Sequence, residues 1–342
     1  MRRTMAVRTA PGTEEGPITM AMAILTSTTN RTTRSAPAIR HVTVIGCGLI
    51  GTSVALALRA DGARVTLADQ DPRSLVEAVR MEAGVELDAD EPPADVVVIA
   101  TPPSTVAEVL RDAQGRGLGA VYTDVASTKA RILSSAELAG CDLRTYVPGH
   151  PMAGREISGP GAAVADLFAG RKWALCPGPA TALYAVRTVM ELVTACGAQV
   201  ALLSPYTHDR AAAAVSHAPL VLSAALAARF AYAGAGPDAL SLVGRGLYDV
   251  TRVAGSPPEQ WIDILDHNAG AVADMLEEVV DDLTAVAAAL REPDGSTSWG
   301  VVADLLIRGN LGRELIVDAY GTDGKEHQLL QERVPTGSME TA

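Results

Sequence analysis

The chain reads as two units, an α/β domain built on a parallel sheet and then an all-α domain. Three observations predict this. Short apolar, β-branched runs alternate with helical stretches up to about residue 180. A glycine-rich turn joins the first of those runs directly to a helix. Beyond about residue 181 the pattern is helical almost throughout.

The first run, Val42 to Ile45, has the composition of a buried parallel strand. Gly46-Cys47-Gly48-Leu49-Ile50-Gly51 then fits G-x-G-x-x-G, an alanine- and leucine-rich helix follows, and a second strand at 64–68 ends on Asp69. Strand, glycine turn, helix, strand and acid come in the order of a dinucleotide-binding, Rossmann-type unit. Gly46 permits the tight turn, Gly48 admits a pyrophosphate close to the backbone, and Gly51 lets helix and strand pack closely. Leu49 and Ile50 open the helix, whose first N–H groups suit phosphate oxygens. Asp69 lies 18 residues past Gly51, near the spacing of about 20 for a ribose-binding acid. A carboxylate there accepts the ribose hydroxyls and repels a 2′-phosphate, so NAD is expected rather than NADP. Arg73 is the one neighbour that favours a phosphate.

A helix is expected over 72–83 and a third strand over 94–100, ending in Thr101-Pro102-Pro103 at the strand's carboxyl end, where open α/β sheets bind ligands. A helix over 104–114, a strand over 120–125, a helix reaching Leu138 and a strand over 144–148 follow, and the strand 173–176 is expected to close this first sheet. The helix 183–196 leads to a short strand at 199–203. Helices are then expected over 208–232, 237–245, 258–291 and 301–316. The domain scheme is a disordered leader (1–39), a nucleotide-binding domain (40–180), a helical substrate and dimerisation domain (181–320) and a flexible polar tail (321–342). The stretch 269–290 carries more apolar surface than a small domain needs, which suits a homodimer.

Composition narrows the function classes. The chain has 342 residues and a formal charge of −12, which gives no support to nucleic-acid binding. Its four cysteines form no C-x-x-C and no metal-ligand spacing, so reduced thiols, a cytoplasmic setting and no metal are expected. No apolar run approaches the ~20 residues of a membrane-spanning helix. The Thr-, Arg- and Ala-rich leader lacks the arrangement of a signal peptide.

Among six histidines, His150 stands out, in Gly149-His150-Pro151-Met152-Ala153-Gly154 just after a strand end. An imidazole there can accept a proton while hydride leaves an alcohol carbon; the alternative is a turn histidine bonded to backbone. Ser127, after another strand end, can orient a hydroxyl or cap the next helix. His217 sits mid-helix ahead of Pro219, where a kink is expected, and either faces a cleft or is a buried structural histidine. Arg252, on an apolar stretch ahead of Trp261, suits a carboxylate or an ion pair with Asp249 or Asp263. His41 and His327 read as structural or solvated, and His208 and His267 as surface residues.

With these residues in view the chain resembles the prephenate dehydrogenase family, which includes arogenate dehydrogenases. The resemblance covers about residues 41–318. It rests on Val44–Gly51, Asp124-Val125-Ala126-Ser127-Thr128-Lys129, His150–Gly154, Leu167–Trp173, Ser216-His217, Thr251-Arg252-Val253-Ala254 and Trp261-Ile262-Asp263-Ile264. It implies oxidative decarboxylation of a cyclohexadienol by NAD in a dimer, leading to 4-hydroxyphenylpyruvate when prephenate is the substrate. His150 matches the proton acceptor, Ser127 the serine supporting it, and Arg252 the arginine on the ring carboxylate. Two positions depart from the pattern: Leu220 stands where many members have histidine, and Tyr248 where many have lysine. Both remove positive partners for the substrate's side chain, and Arg155 can restore one. Prephenate, arogenate and a 4-amino analogue of secondary metabolism all remain open.

Two other readings compete. A phosphogluconate-like hydroxyacid dehydrogenase would want a lysine early in the second unit, and none occurs from Gln199 through Arg291. A nucleotide-sensing protein without chemistry would not need Ser127, His150 and Arg252 together.

Overall fold

The computed structural model describes residues 39–155, 157–231, 236–291 and 296–331. Nearly all of the expected leader, and residues 332–342 of the expected tail, lie outside the described residues.

The first sheet is parallel, six-stranded and ordered β3-β2-β1-β4-β5-β6. Its strands are β1 (His41–Ile45), β2 (Arg64–Ala68), β3 (Val85–Glu86), β4 (Ala94–Ile99), β5 (Gly119–Asp124) and β6 (Tyr146–Val147). The crossovers are α1 (Leu49–Ala60), α2 (Pro72–Arg80), α3 (Val106–Gly115) and α4 (Ala130–Leu138). Val44 pairs with Leu67 on one side and Val98 on the other, and all three are fully buried. Helices cover both faces, so these strands are apolar throughout and do not alternate. Each such side chain contributes about 1.5–3 kcal/mol by leaving water. The order reverses between β1 and β4, which opens a crevice beyond their carboxyl ends.

The strand at Trp173 departs from expectation. It does not close the first sheet: β7 (Gly149–Pro151), β8 (Lys172–Leu175) and β9 (Gln199–Leu202) form a second, three-stranded sheet, with β7 antiparallel and β9 parallel to β8. The expected strand 144–148 shrinks to two residues because Pro148 has no N–H to extend a ladder. The chain then leaves the first sheet, so His150 lies in a strand opposite Ala174 rather than in a turn. Helix α5 (Leu183–Ala195), placed at the start of the second unit by the sequence, buries Ala185, Val186, Val189, Leu192 and Val193 in the same core as β1.

The helical part comprises α6 (Pro205–Ala212), a π-helical turn (Ala213–His217), α7 (Ala218–Ala227), α8 (Gly236–Ser241), α9 (Arg245–Thr251), a 3-10 turn (Arg252–Gly255), α10 (Pro258–His267), α11 (Ala269–Arg291) and α12 (Ser296–Gln331). The helix expected from 208 begins earlier, where Ser204 caps it by accepting from Thr207 N at 3.1 Å. The disturbance expected at Pro219 is the π turn ending at His217, since a wider turn accommodates a residue without an N–H. The helix expected over 258–291 breaks at Asn268, and α12 runs past the expected tail boundary at residue 321. Residues 205–230 form 26 consecutive helical residues, within which an 18-residue window reaches a mean hydropathy of 1.6. By length and composition alone that window is long enough to cross a membrane, as a buried core helix also can be; His208, Asp209 and His217 on the helix are buried. Along α11 and α12, Leu283, Leu306, Ile307, Leu311, Leu315 and Ile316 are more than half exposed.

Candidate active site

At the crevice, Gly46 has φ +106°, and a Cβ on it would lie 2.4 Å from the Ala100 carbonyl oxygen. A Cβ on Gly51 would lie 1.9 Å from the carbonyl of Gly46. Both clashes force glycine. Gly48 is different: nothing lies within 4 Å of where its Cβ would stand. It caps α1 with no side-chain bond, and the first turn holds no acid, so the N–H groups of Leu49, Ile50 and Gly51 face an open cradle suited to an anion. Asp69, at the end of β2, accepts from Cys47 N at 2.5 Å with one oxygen and from Asp71 N at 2.7 Å with the other. That fixes the carboxylate at the lip of the loop with lone pairs to spare for hydroxyls. Arg73 pairs with Asp71 at 3.2 Å. Across the crevice, at the end of β4, the Thr101 hydroxyl is buried without a partner and Pro102 is exposed. The open cradle and orphaned hydroxyl fit a dinucleotide. Burial, then Asp69, pushes the Cys47 thiol up to about 12, which makes it inert.

His150 Nδ1 lies 2.9 Å from His208 Nε2, and His208 Nδ1 lies 2.8 Å from Asp209 Oδ1. Both His208 and Asp209 are buried, at 2% and 5% exposure. The surface role expected for His208 is therefore incorrect, and His267, also expected at the surface, is half-buried with Nδ1 2.9 Å from the Asp263 carbonyl. Asp209 also accepts from Lys129 N and Ala130 N, each at 2.8 Å, which caps α4 from the helical unit. Asn268 donates to the Asp209 carbonyl at 2.7 Å and lies 3.1 Å from His217 Nδ1. Since an amide nitrogen only donates, His217 accepts on Nδ1 and carries its proton on Nε2, a buried nitrogen with no partner. Trp261 stands edge-on to the His217 ring at 6.1 Å.

Lys129 is fully buried. Its ammonium pairs with Asp124 and donates to the Gly149 carbonyl at 2.7 Å, directly before His150. Asp124 also accepts from Tyr146 OH at 2.6 Å. Removing one member of such a pair costs about 3–5 kcal/mol, because its partner stays buried and uncompensated. The pair fastens β5 to β7 and so holds His150 in place.

Ser127 is half-buried and makes no hydrogen bond among the described residues; His208, not Ser127, occupies Nδ1 of His150. It is not the cap of α4 either, a position taken by Lys129. Arg252 and Arg155 line one open cleft of about 540 Å³ with Gly154 and Ile157. Arg155 donates to the Ala162 carbonyl at 2.8 Å. Asp249 pairs with Arg245 at 3.6 Å, and Asp263 accepts from Ser104 N and Oγ at 3.1 Å, tying α10 to the loop beyond Pro102. Tyr248 is 67% exposed and Leu220 is buried. Sequence reasoning missed His208, Asp209, Lys129 and Asn268. The usable signal was a His-Asp pair in the first turns of a helix that becomes alanine-rich, and a lysine opening a helix after a strand end.

Burial, then His208, Lys129 and His217, hold His150 well below the ordinary imidazole range. Burial lowers His217 to about 4, against a small opposing pull from Asp209. Both rings are neutral at pH 7, the state a proton acceptor needs. An unfolded histidine titrates near 6.5, so between about 6.5 and about 4 the unfolded chain binds protons that folded His217 refuses. Stability contributed at these sites is present above about pH 6.5 and is lost as pH falls toward about 4. Thermal melts across that window are expected to show a falling midpoint for the native chain and a shallower fall for His217→Asn. Parallel falls would contradict the assignment.

Two family models match the chain: prephenate dehydrogenase, nucleotide-binding domain, over residues 54–202, and prephenate dehydrogenase, dimerization domain, over residues 204–299. The chain is 38% identical over 291 residues to the probable prephenate dehydrogenase NovF of Streptomyces niveus, covering 83% of this chain and 79% of that one. It is 30% identical to the prephenate dehydrogenase of Bacillus subtilis, over 74% and 71% of the two chains. Among solved structures, an arogenate dehydrogenase from Synechocystis superposes with a TM-score of 0.67 at 26% identity, covering 81% and 100%. A prephenate dehydrogenase from A. aeolicus, in complex with hydroxyphenyl propionate and NAD+, shares the fold with a TM-score of 0.71 at 24% identity, over 80% and 98%. The nucleotide-binding α/β unit and the helical unit that follows it are both matched by models of these enzymes, and the chain belongs to the prephenate dehydrogenase family.

Proposed function

We propose that the chain catalyses NAD-dependent oxidative decarboxylation of prephenate to 4-hydroxyphenylpyruvate, a step toward tyrosine. The observation that carries this is the neutral His150 imidazole, held by two buried networks, one through His208 and one through Lys129. Gly46, Gly48, Leu49, Ile50 and Gly51 would hold the pyrophosphate, Asp69 the ribose, and Thr101 and Pro102 the far wall. NAD, when bound, supplies the hydride acceptor. His150 takes the proton of the ring hydroxyl on Nε2, and Ser127 orients that hydroxyl. Arg252 binds the ring carboxylate, Arg155 the side-chain carboxylate, and the His217 Nε2–H donates to a substrate oxygen, with Tyr248 at the rim. Loss of CO₂ leaves an aromatic ring, so these residues need only orient the substrate and accept one proton.

Leu220 and Tyr248 carry no charge toward the substrate's side chain, which keeps two neighbouring substrates in view, arogenate and 4-amino-4-deoxyprephenate. The relatives' names also vary, from prephenate dehydrogenases to a cyclohexadienyl dehydrogenase of Zymomonas mobilis, 29% identical over 75% of this chain and 90% of that one. A cytoplasmic setting accords with four free thiols. We further assign dimerisation to the exposed apolar residues of α11 and α12, in keeping with the dimerization-domain match. Sedimentation equilibrium is expected to return twice the chain mass, and a monomer at micromolar concentration would refute that assignment.

The function is tested by following NADH absorbance with each of the three substrates and with NAD or NADP. Turnover with NAD, highest on prephenate, is expected; no turnover on any of them would overturn the reading. His150→Asn is expected to keep NAD binding and to lose roughly 10²–10⁴-fold in kcat. A native rate in that variant would remove His150 from the chemistry.

A further inference from the structure

His150 can act as the base only if the nitrogen turned to substrate is bare, and a free imidazole does not choose which nitrogen carries its proton. The buried neighbours of His150 make that choice. The Asp209 carboxylate is acceptor-only, and it already takes the N–H groups of Lys129 and Ala130. The His208 nitrogen beside it, Nδ1 at 2.8 Å, must therefore be the one bearing hydrogen. With a single hydrogen on its ring, His208 then has a bare Nε2, which can only accept. The atom 2.9 Å from it is His150 Nδ1, which must donate. The proton of neutral His150 thus sits on Nδ1, and Nε2 is left with its lone pair.

We infer that His208, held by Asp209, is a positioning residue that fixes His150 in the Nδ1–H tautomer and so makes Nε2 the proton acceptor. The inference rests on the proposed function for its kinetic consequence, but the tautomer itself does not. In the reaction, the O–H bond of the substrate breaks and its proton forms the N–H bond at Nε2. The C–H electron pair leaves with its proton as hydride to NAD, and the electron pair of the breaking C–C bond enters the ring as CO₂ departs. The substrate is oxidised and NAD reduced. The resulting imidazolium keeps its Nδ1–H bond to His208, whose ring stays aligned by the Asp209 carboxylate. The arrangement shares its physical logic with the serine-hydrolase triad, where a buried carboxylate sets the tautomer of the base, but here a second imidazole stands between carboxylate and base.

The test uses the full chain with ¹⁵N-labelled histidine, without substrate. Long-range ¹H–¹⁵N spectra near neutral pH, with the His150 signals identified by their loss in His150→Asn, are expected to show a protonated Nδ1 and a bare Nε2 on His150, and a protonated Nδ1 on His208. His208→Phe should release the preference at His150 and lower kcat roughly 10²-fold, with KM and the NAD dissociation constant changed by no more than about twofold. His208→Gln, whose side-chain oxygen still accepts the Nδ1–H, should restore the tautomer and most of kcat. A native chain with His150 protonated on Nε2 overturns the inference, as does a His208→Phe variant with native kcat, or one that His208→Gln does not improve upon. If His208→Phe does not fold, the native spectrum alone decides. A chain that oxidises none of the cyclohexadienols would overturn the proposed function and leave the spectral result standing.

Discussion

The Asp209 carboxylate is the constraint on which the rest of the site depends. It belongs to α6, the first helix after the second sheet, yet two of its bonds cap α4 of the nucleotide-binding unit and a third holds His208. One residue thereby sets the approach of the helical unit, the start of the helix that follows Ser127 and the orientation of the ring beside His150. Buried carboxylates that accept several N–H bonds are strongly held, because leaving any of those donors without a partner away from water costs about 1–3 kcal/mol. The interface between the two units is fixed by polar bonds of this kind, with Asp263 on Ser104 and Arg131 on the Asp266 carbonyl at its edge. These bonds are directional, so the crevice has one defined shape.

Charge around the site is arranged so that the His150 and His217 imidazoles stay neutral while the buried Lys129 ammonium is fully paired. Lys129 gives its ammonium to Asp124 and the Gly149 carbonyl, and its positive charge helps keep a proton off His150. A buried lysine beside a base would be a burden if it were free; paired, it is a strut that also tunes the base. His217 is kept neutral chiefly by burial, and Asn268 dictates that its exchangeable hydrogen is on Nε2. The centre therefore presents a donor at His217 and, on the inference above, an acceptor at His150. An alcohol and its developing carbonyl call for that combination.

The nucleotide-binding half was legible in the sequence because its chemistry is local. Gly46, Gly48, Gly51 and Asp69 act within one strand-turn-helix-strand unit, and the spacing alone reports it. The second sheet was not legible. Trp173 to Leu175 is as apolar as any strand of the first sheet, and only the break at Pro148, with pairing to β7 and β9, moves it elsewhere. His208 was misplaced for a related reason. Tyr206-Thr207-His208-Asp209-Arg210 is polar in every position, so periodicity assigns it to solvent. The partners that bury it lie 58 residues away at His150 and about 80 away at Lys129 and Ala130. Motif resemblance singled out Ser127, His150, His217 and Arg252, but could not say that the imidazole next to His150 is that of His208.

The most direct measurement of the central claim is a comparison of native chain and Asp209→Asn in thermal stability, NAD binding and kcat together. An amide can accept on its oxygen but must turn a donor toward a donor at one of the Lys129, Ala130 or His208 contacts. The account predicts a lower melting temperature and a kcat reduced by tenfold or more in order of magnitude, while the glycine loop, which Asp209 does not touch, binds NAD with about the native affinity. An Asp209→Asn chain with native melting temperature and native kcat would contradict the claim that this carboxylate organises the site.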